Sequence, residues 1–121
     1  MRESGEDYLE TIYLLGKKTP GVHAIDIAHE LGYSKPSITK AMKILKEDGF
    51  IIVDEYNHIV LTETGLAKAQ QVYEKHQYIT KFWILNGVDA DIAAKDACRM
   101  EHDISAETFA CIKSFVDKTK L

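Results

Sequence analysis

The stretch AIDIAHELGYSKPSITKAMKILKEDG, from Ala24 to Gly49, decides the fold of this chain. Two apolar stripes at helical spacing run through it, and their members are Ala24, Ile27, Ala28 and Leu31, then Ile38, Ala41, Met42 and Leu45. Gly32 follows the first stripe as a helix-ending residue, while Ser34 and Pro36 suit the N-cap and first turn of the second helix. The stretch predicts one helix over about 24–31, a short turn, and another helix that ends at Asp48-Gly49.

The second of these helices is cationic. Between Ser34 and Lys46 the chain has no acid and four lysines, which are Lys35, Lys40, Lys43 and Lys46. Two helices joined by a short Gly-containing turn, the second of them cationic, are typical of a helix-turn-helix. The β-branched runs 50–53 and 58–61 then flank four turn residues and predict a hairpin. A hairpin directly after the recognition helix indicates a wing.

Further helices are expected on both sides of this motif. One covers about 6–18, and a long one begins at Thr62 or Thr64 and ends at Asn86-Gly87. Two more fit 90–102 and 105–118. We therefore expect a mostly α fold, with a winged helix-turn-helix DNA-binding domain at 1–62 and a helical dimerisation and metal-binding half at 63–121.

Length and composition narrow the class of protein. The 121-residue chain is 45% hydrophobic and 28% charged, as a compact globular domain is, and it is long enough to fold without disulfides or metal. Its two cysteines are too few for a disulfide framework. It has no membrane-length apolar run and no signal-like start, so we expect a cytoplasmic protein. The net charge of −4 argues against indiscriminate polyanion binding but allows a local basic face.

The outer face of the cationic helix is the candidate DNA-contacting surface. Short polar or apolar groups near its N-terminus, with lysines beyond, suit a helix end inserted into the major groove. The residues concerned are Ser34, Lys35, Pro36, Ser37, Thr39, Lys40 and Lys43. The alternative is an ordinary solvated face, because lysine is a good helix former. The turn, the missing acids and the wing together favour DNA. The wing tip at 56–58 lacks Arg and Lys, so weaker contacts are expected there.

A second group of polar residues lies outside the helix-turn-helix. Cys98, Glu101 and His102 are spaced i, i+3, i+4 and share one helix face. Asp7 and Glu10 are one turn apart on the first helix. On the long helix, His76 lies on an otherwise apolar face with Leu66, Ala69, Tyr73, Thr80 and Trp83. Each set has a structural explanation: a packed thiol, acids at a helix start, or a hydrogen-bonded core histidine. Three such sets in one small chain favour a common role.

Five strings carry a resemblance to a known family: Asp7-Tyr8-Leu9-Glu10-x-Ile12-Tyr13, Ile27-Ala28-x-x-Leu31, Ser34-x-Pro36-Ser37-Ile38-Thr39, Leu61-Thr62-x-x-Gly65 and Asp96-Ala97-Cys98-Arg99-Met100-Glu101-His102. With these, the chain resembles the metal-dependent repressors of the diphtheria toxin repressor and manganese transport regulator type. The resemblance implies a homodimer that binds a palindromic double-stranded DNA operator with metal as corepressor and controls metal-uptake genes. It implies a short form without the SH3-like domain, and metal ligands at Asp7, Glu10, His76, Cys98, Glu101 and His102.

The implied ligands point to more than one metal. Iron-type members usually carry Met at the position of Asp7 and Cys at that of Cys98, whereas manganese-type members carry a carboxylate at both. This chain is mixed, because Asp7 is a hard donor that suits Mn²⁺ and Cys98 is a soft donor that suits Fe²⁺, Co²⁺ or Zn²⁺. We expect Mn²⁺, with Fe²⁺ as the alternative and Co²⁺ or Zn²⁺ as substitutes in vitro.

Two other functions fit parts of the pattern. A metalloenzyme in which Cys98, Glu101 and His102 hold a catalytic metal would leave the helix-turn-helix without a role. A winged-helix regulator that responds to a small molecule would use the polar cluster only as a salt-bridge set. We therefore expect a repressor and not an enzyme. The late apolar residues Phe109, Ile112 and Phe115 are expected either to form the dimer surface or only to complete the core.

Overall fold

The computed structural model of the chain describes residues 3–119. Within this range the elements are α1 (Glu3–Gly16), α2 (Ala24–Leu31), α3 (Lys35–Glu47), β1 (Ile51–Val53), β2 (Ile59–Leu61), α4 (Glu63–Leu85), α5 (Ala90–Met100) and α6 (Ala106–Thr119). The predicted mostly α winged helix-turn-helix, followed by further helices, is confirmed. None of the helices in residues 3–119 has both the length and the apolar character needed to cross a membrane.

Local capping signals position the helix-turn-helix. Gly32 ends α2 in the left-handed region at φ 71°, and its N–H donates to the Ala28 carbonyl. Ser34 caps α3, because its hydroxyl accepts from the Ser37 N–H at 3.3 Å. The two helices thus begin and end where the sequence predicts, apart from α3 ending at Glu47.

The wing is a short antiparallel hairpin. Ile52 of β1 lies opposite Val60 of β2, and the Ile59 N–H donates to the Val22 carbonyl at 2.7 Å, which ties the wing to the loop before α2. Asp54 organises the turn, since one carboxylate oxygen accepts from the N–H groups of Tyr56 and His58 at 2.8 and 2.9 Å. Hydrogen bonds from the backbone of His58, then of Tyr56, lower the pKa of Asp54. Sequence analysis had not singled out Asp54.

The chain forms two compact units, one up to Gln70 and one from Gln71 onward. The core of the first unit draws on every element from α1 to the start of α4. Its buried members include Leu9, Ile12, Ile27, Ile38, Leu45, Ile51, Ile59 and Ala69. Because α1, α2 and α3 share this apolar core, α3 is held against α1 by packing.

The core of the second unit is smaller and richer in aromatic residues. Ile79, Ala97 and Ile112 are its buried centre, and Phe82, Trp83 and Phe109 are among the partly buried residues packed against it. Ile112 thus completes the core of its own unit, whereas Phe115 is 42% exposed on α6.

The face predicted for α4 was partly wrong. Leu66 was expected on the buried stripe but is 40% exposed, while Val72 and Ile79 are buried in place of the neighbouring Tyr73 and Thr80. The reason is that α4 contributes to two separate cores, so one straight stripe does not describe its burial.

Gly65 allows α4 to begin directly against the wing. Thr62 accepts from the Gly65 N–H at 3.1 Å through its hydroxyl, which also donates to the Gly49 carbonyl at 2.7 Å. The Thr62 N–H donates to the Phe50 carbonyl, and a Cβ added at Gly65 would collide with that same carbonyl oxygen. Since backbone cannot move aside as a flexible side chain does, a residue without Cβ is required here.

We expect Gly65→Ala to destabilise the protein by about 1–3 kcal/mol, because the new methyl group forces the helix start away from Phe50. Chemical denaturation followed by circular dichroism measures this. Gly16→Ala is the matched control, since a Cβ at Gly16, the last residue of α1, meets no atom within 4 Å. The control should be neutral or stabilising by up to about 1 kcal/mol. Equal stability of the two variants would contradict the close approach at Gly65.

Candidate metal centre and DNA-contacting helix

Three potential metal ligands meet in the second unit. His76 projects from the middle of α4, and Cys98 and Glu101 lie one turn apart at the end of α5. The His76 Nδ1 lies 3.0 Å from Oε2 of Glu101 and 3.7 Å from the Cys98 Sγ. The ligand atoms of all three residues lie within 4.8 Å of one another. The i, i+3 spacing seen in the sequence therefore brings Cys98 and Glu101 to the same histidine.

Glu101 is the most unusual member of this group. Its side chain is 0% exposed, which makes an ionised carboxylate costly unless it is paired. Its Oε2 pairs with His76, but within the described residues its Oε1 is buried and accepts no hydrogen bond. The His102 Nε2 lies 3.4 Å from that oxygen, and the His102 side chain is 2% exposed. The carboxylate thus has a coordination position that its neighbours do not satisfy.

The neighbours of His76 change its pKa. The Cys98 sulfur and the Glu101 carboxylate, both within hydrogen-bond range of Nδ1, raise the pKa of His76 from 6.5 to about 10, against the opposing effect of partial burial. At neutral pH the metal-free imidazole is therefore protonated and neutralises the buried carboxylate.

The donor set fits a divalent transition metal. Imidazole nitrogen, thiolate sulfur and carboxylate oxygen are the protein ligands that such ions take, and the buried Oε1 of Glu101 is an acceptor with no hydrogen bond from the described residues. A metal ion can replace the positive charge that the His76 proton provides. Cys98 is exposed, so the cluster is open on the side of the sulfur.

The two acids predicted as ligands on the first helix lie in the first unit. Asp7 and Glu10 are both half-buried and one turn apart on α1. Their neighbours Tyr8 and Leu9 are buried, which fixes the orientation of this helix within its unit. Their role as metal ligands stays a prediction.

The predicted DNA-contacting residues are all exposed on or next to α3. They are Ser34, Lys35, Pro36, Ser37, Thr39, Lys40 and Lys43. The opposite face of the helix buries Ile38, Met42 and Leu45. In residues 3–119 no ion pair engages a lysine of α3. The helix therefore presents uncompensated positive charge to solvent.

Sequence analysis missed the network that fixes the wing tip. The second oxygen of Asp54 lies 3.1 Å from Nδ1 of His58, and the His58 ring packs against His23 with centroids 4.8 Å apart. Asn57 takes the left-handed conformation at φ 62°, and Tyr56 is 68% exposed beside it. The spacing of Asp54 and His58 was the available signal, since an Asp side chain often caps its own turn.

Both parts of the chain match models of known protein families. Residues 1–59 match the iron dependent repressor, N-terminal DNA binding domain, and residues 62–120 match the iron dependent repressor, metal binding and dimerisation domain. The chain is 35% identical over 117 residues to the transcriptional regulator MntR of Escherichia coli O6:H1, across 97% of this chain and 76% of that protein. It is 34% identical over 122 residues to an uncharacterized HTH-type transcriptional regulator of Methanocaldococcus jannaschii, across 99% and 98% of the two chains.

A solved structure agrees with these matches. The structure of the manganese regulator SloR superposes with a TM-score of 0.81 at 27% identity, and the match covers 93% of this chain and 53% of that one. This chain thus spans about half the length of that solved chain. The relatives are transcriptional regulators, which does not favour a metalloenzyme. The chain belongs to the iron dependent repressor family of metal-dependent transcriptional regulators.

Proposed function

We propose that this protein is a metal-responsive transcriptional repressor that binds a palindromic DNA operator as a homodimer and controls metal-uptake genes. The observation that carries the proposal is the cluster of His76, Cys98 and buried Glu101 in a chain whose first unit exposes a cationic recognition helix. We assign 1–62 to DNA binding and 63–121 to metal binding and dimerisation. A chromosomal target implies a cytoplasmic location, and no catalytic role is proposed.

The proposed regulatory site has two sources of support. Distances and burial support His76, Cys98 and Glu101, with His102 beside the same carboxylate. Family membership adds Asp7 and Glu10 of α1. A bound divalent ion supplies the positive charge that neutralises these acidic and sulfur ligands. His76 gives up its proton at Nδ1, while buried Glu101 keeps its carboxylate away from water.

A connection from this site to DNA runs through the core of the first unit. Leu9 and Ile12 of α1 pack in the same cluster as Ile27 of α2 and Ile38 of α3. If Asp7 and Glu10 hold the metal, it would fix α1, and α3 with it, because the packed core of the first unit does not deform freely. A metal held by Asp7 and Glu10 would thereby favour one position of the recognition helix.

We propose Mn²⁺ as the physiological metal, with Fe²⁺ as the alternative. Asp7, Glu10 and Glu101 are hard oxygen donors that suit Mn²⁺, whereas Cys98 favours softer ions such as Co²⁺ and Zn²⁺. The three carboxylates outnumber the single thiolate. The relative SloR is described as a manganese regulator, which agrees with this choice.

The proposed dimer surface is the exposed apolar part of the second unit. Ile84, Leu85 and Phe115 are 43%, 48% and 42% exposed, and the Phe115 ring packs edge-on against Phe82 at 5.3 Å. Apolar exposure of this extent is typical of an association surface. The matching domain is a dimerisation domain, which supports its assignment to homodimer contacts.

The repressor function is tested by selecting bound sequences from random double-stranded DNA in the presence of Mn²⁺. We expect enrichment of a palindromic sequence, and release of that DNA when a chelator removes the metal. The control is Cys98→Ala, which keeps α3 and the buried pair of Glu101 with His76 but weakens the metal cluster, and it should select the same sequence poorly. Equal DNA affinity with and without chelator would overturn metal-dependent repression.

Metal binding is expected to release protons. The raised pKa of His76, about 10, means that the metal-free ring carries a proton at neutral pH, which coordination through Nδ1 must displace. Apparent Mn²⁺ affinity should therefore rise by up to about tenfold per pH unit between pH 6.5 and 8.5. Calorimetry in buffers of different ionisation enthalpy counts the protons, and His76→Gln should release one fewer. No proton release from the unmodified chain would argue against His76 as a ligand.

Two substitutions are expected to shift metal preference in opposite directions. Cys98→Glu makes the donor set oxygen and nitrogen only, so operator binding should respond more strongly to Mn²⁺ and less to Co²⁺ or Zn²⁺. Asp7→Met should favour the softer ions. Cys111→Glu is the matched control, because Cys111 is also an exposed cysteine but lies on α6, outside the cluster. If all three variants respond to the metals as the parent does, Cys98 and Asp7 are not ligands.

A further inference from the structure

The outermost side chains of α3 form one stripe. Pro36, Lys40, Lys43 and Glu47 are spaced i, i+4, i+7 and i+11, so they follow one line along the helix. This line lies opposite the buried residues Ile38, Met42 and Leu45. Because the buried face packs into the core of the first unit, the stripe points away from the protein. It is the part of α3 that would reach furthest into a groove of DNA.

The charges along the stripe indicate which end of α3 enters the DNA groove. The first two turns contain no acid, while Glu47 lies on the stripe at the C-terminal end. A carboxylate there is repelled by DNA phosphates, so the helix approaches with its N-terminal end. Lys40 lies in the second turn, about 7.5 Å along the helix from its first residue, within the part that docks against base edges.

The hydroxyl groups near Lys40 are already engaged within the helix. Ser34 and Ser37 are hydrogen-bonded to each other at 2.9 Å as part of the cap, and the Thr39 hydroxyl donates to the Lys35 carbonyl at 3.0 Å. Within residues 3–119, no hydrogen bond or ion pair occupies the Lys40 ammonium. It has the longest reach of any side-chain donor in the outward part of the first two turns.

We infer that Lys40 reads a guanine in each half-site of the operator, while the other lysines of α3 contact phosphates. Guanine offers two acceptors, N7 and O6, on its major-groove edge, and an ammonium with three donors can bridge both. Lys35 and Lys46 lie to the side of the stripe, and Lys43 lies one turn nearer to Glu47, where the helix leaves the groove floor. This inference rests on the proposed function, because it names the sequence that the same surface recognises.

The test compares three chains in the random-DNA selection with Mn²⁺: the parent, Lys40→Gln and Lys43→Gln. We expect the parent motif to contain a guanine at one fixed position in each half-site. Lys40→Gln should change that position to adenine, because an amide pairs with adenine N6 and N7, with a change in preference of about 5- to 150-fold. Lys43→Gln is the matched control at an exposed lysine on the same stripe, and it should weaken binding without changing the motif.

A modified base gives a second measurement. Replacing the selected guanine by 7-deazaguanine removes the N7 acceptor, so the affinity of the parent should fall several-fold while that of Lys40→Ala should not change. An unchanged motif for Lys40→Gln, or equal sensitivity of parent and Lys40→Ala to the modified base, would overturn the inference. Those results leave metal-dependent selection by the parent intact, whereas a parent that selects no sequence would overturn the proposed function itself.

Discussion

The buried carboxylate of Glu101 is the constraint on which the second unit depends. A charge with no exposed surface costs several kcal/mol unless a partner compensates it, and His76 is that partner at 3.0 Å. The pair therefore fixes α4 and α5 in register with each other. It also leaves Oε1 of the carboxylate without a hydrogen bond, so the same pair that holds the two helices together is incompletely satisfied. The packing of this unit and the cation affinity that we propose for it would have one physical origin.

The first unit depends on a different kind of contact, which is formed between segments of the backbone. Phe50 lies between the end of α3 and the start of β1, and its carbonyl accepts from the Thr62 N–H while the start of α4 passes against it at Gly65. The recognition helix, the wing and α4 therefore meet at one carbonyl group. Because little of this contact is side chain, the orientation of the wing relative to α3 changes little with surface substitutions. Asp54 and His58 then shape only the tip of the wing.

Local signals in the sequence were enough to predict the helix-turn-helix. The bounds of α2 were predicted to the residue, because Gly32 and the apolar spacing act over one or two turns. The spacing of Cys98 and Glu101 placed them on one face for the same reason. Periodicity did not reveal that α4 serves two cores, so Leu66 was assigned to the wrong side. It also did not reveal the depth of Glu101 or its contact with His76, which is 25 residues away in the chain.

Of the proposed ligands in this cluster, Glu101 is buried and Cys98 is exposed. Glu101 cannot be exchanged without leaving the His76 charge unpaired and disturbing the helix pair, so its donor type is constrained by stability. Cys98 is exposed on the same helix face and contributes little to packing, so a substitution there alters donor softness at small structural cost. In the proposed site, metal preference and fold stability would thereby depend on different residues one turn apart. If Cys98 is the exposed ligand that we propose, a substitution there would change the metal to which the chain responds, while the buried carboxylate and the helices it fixes stay the same.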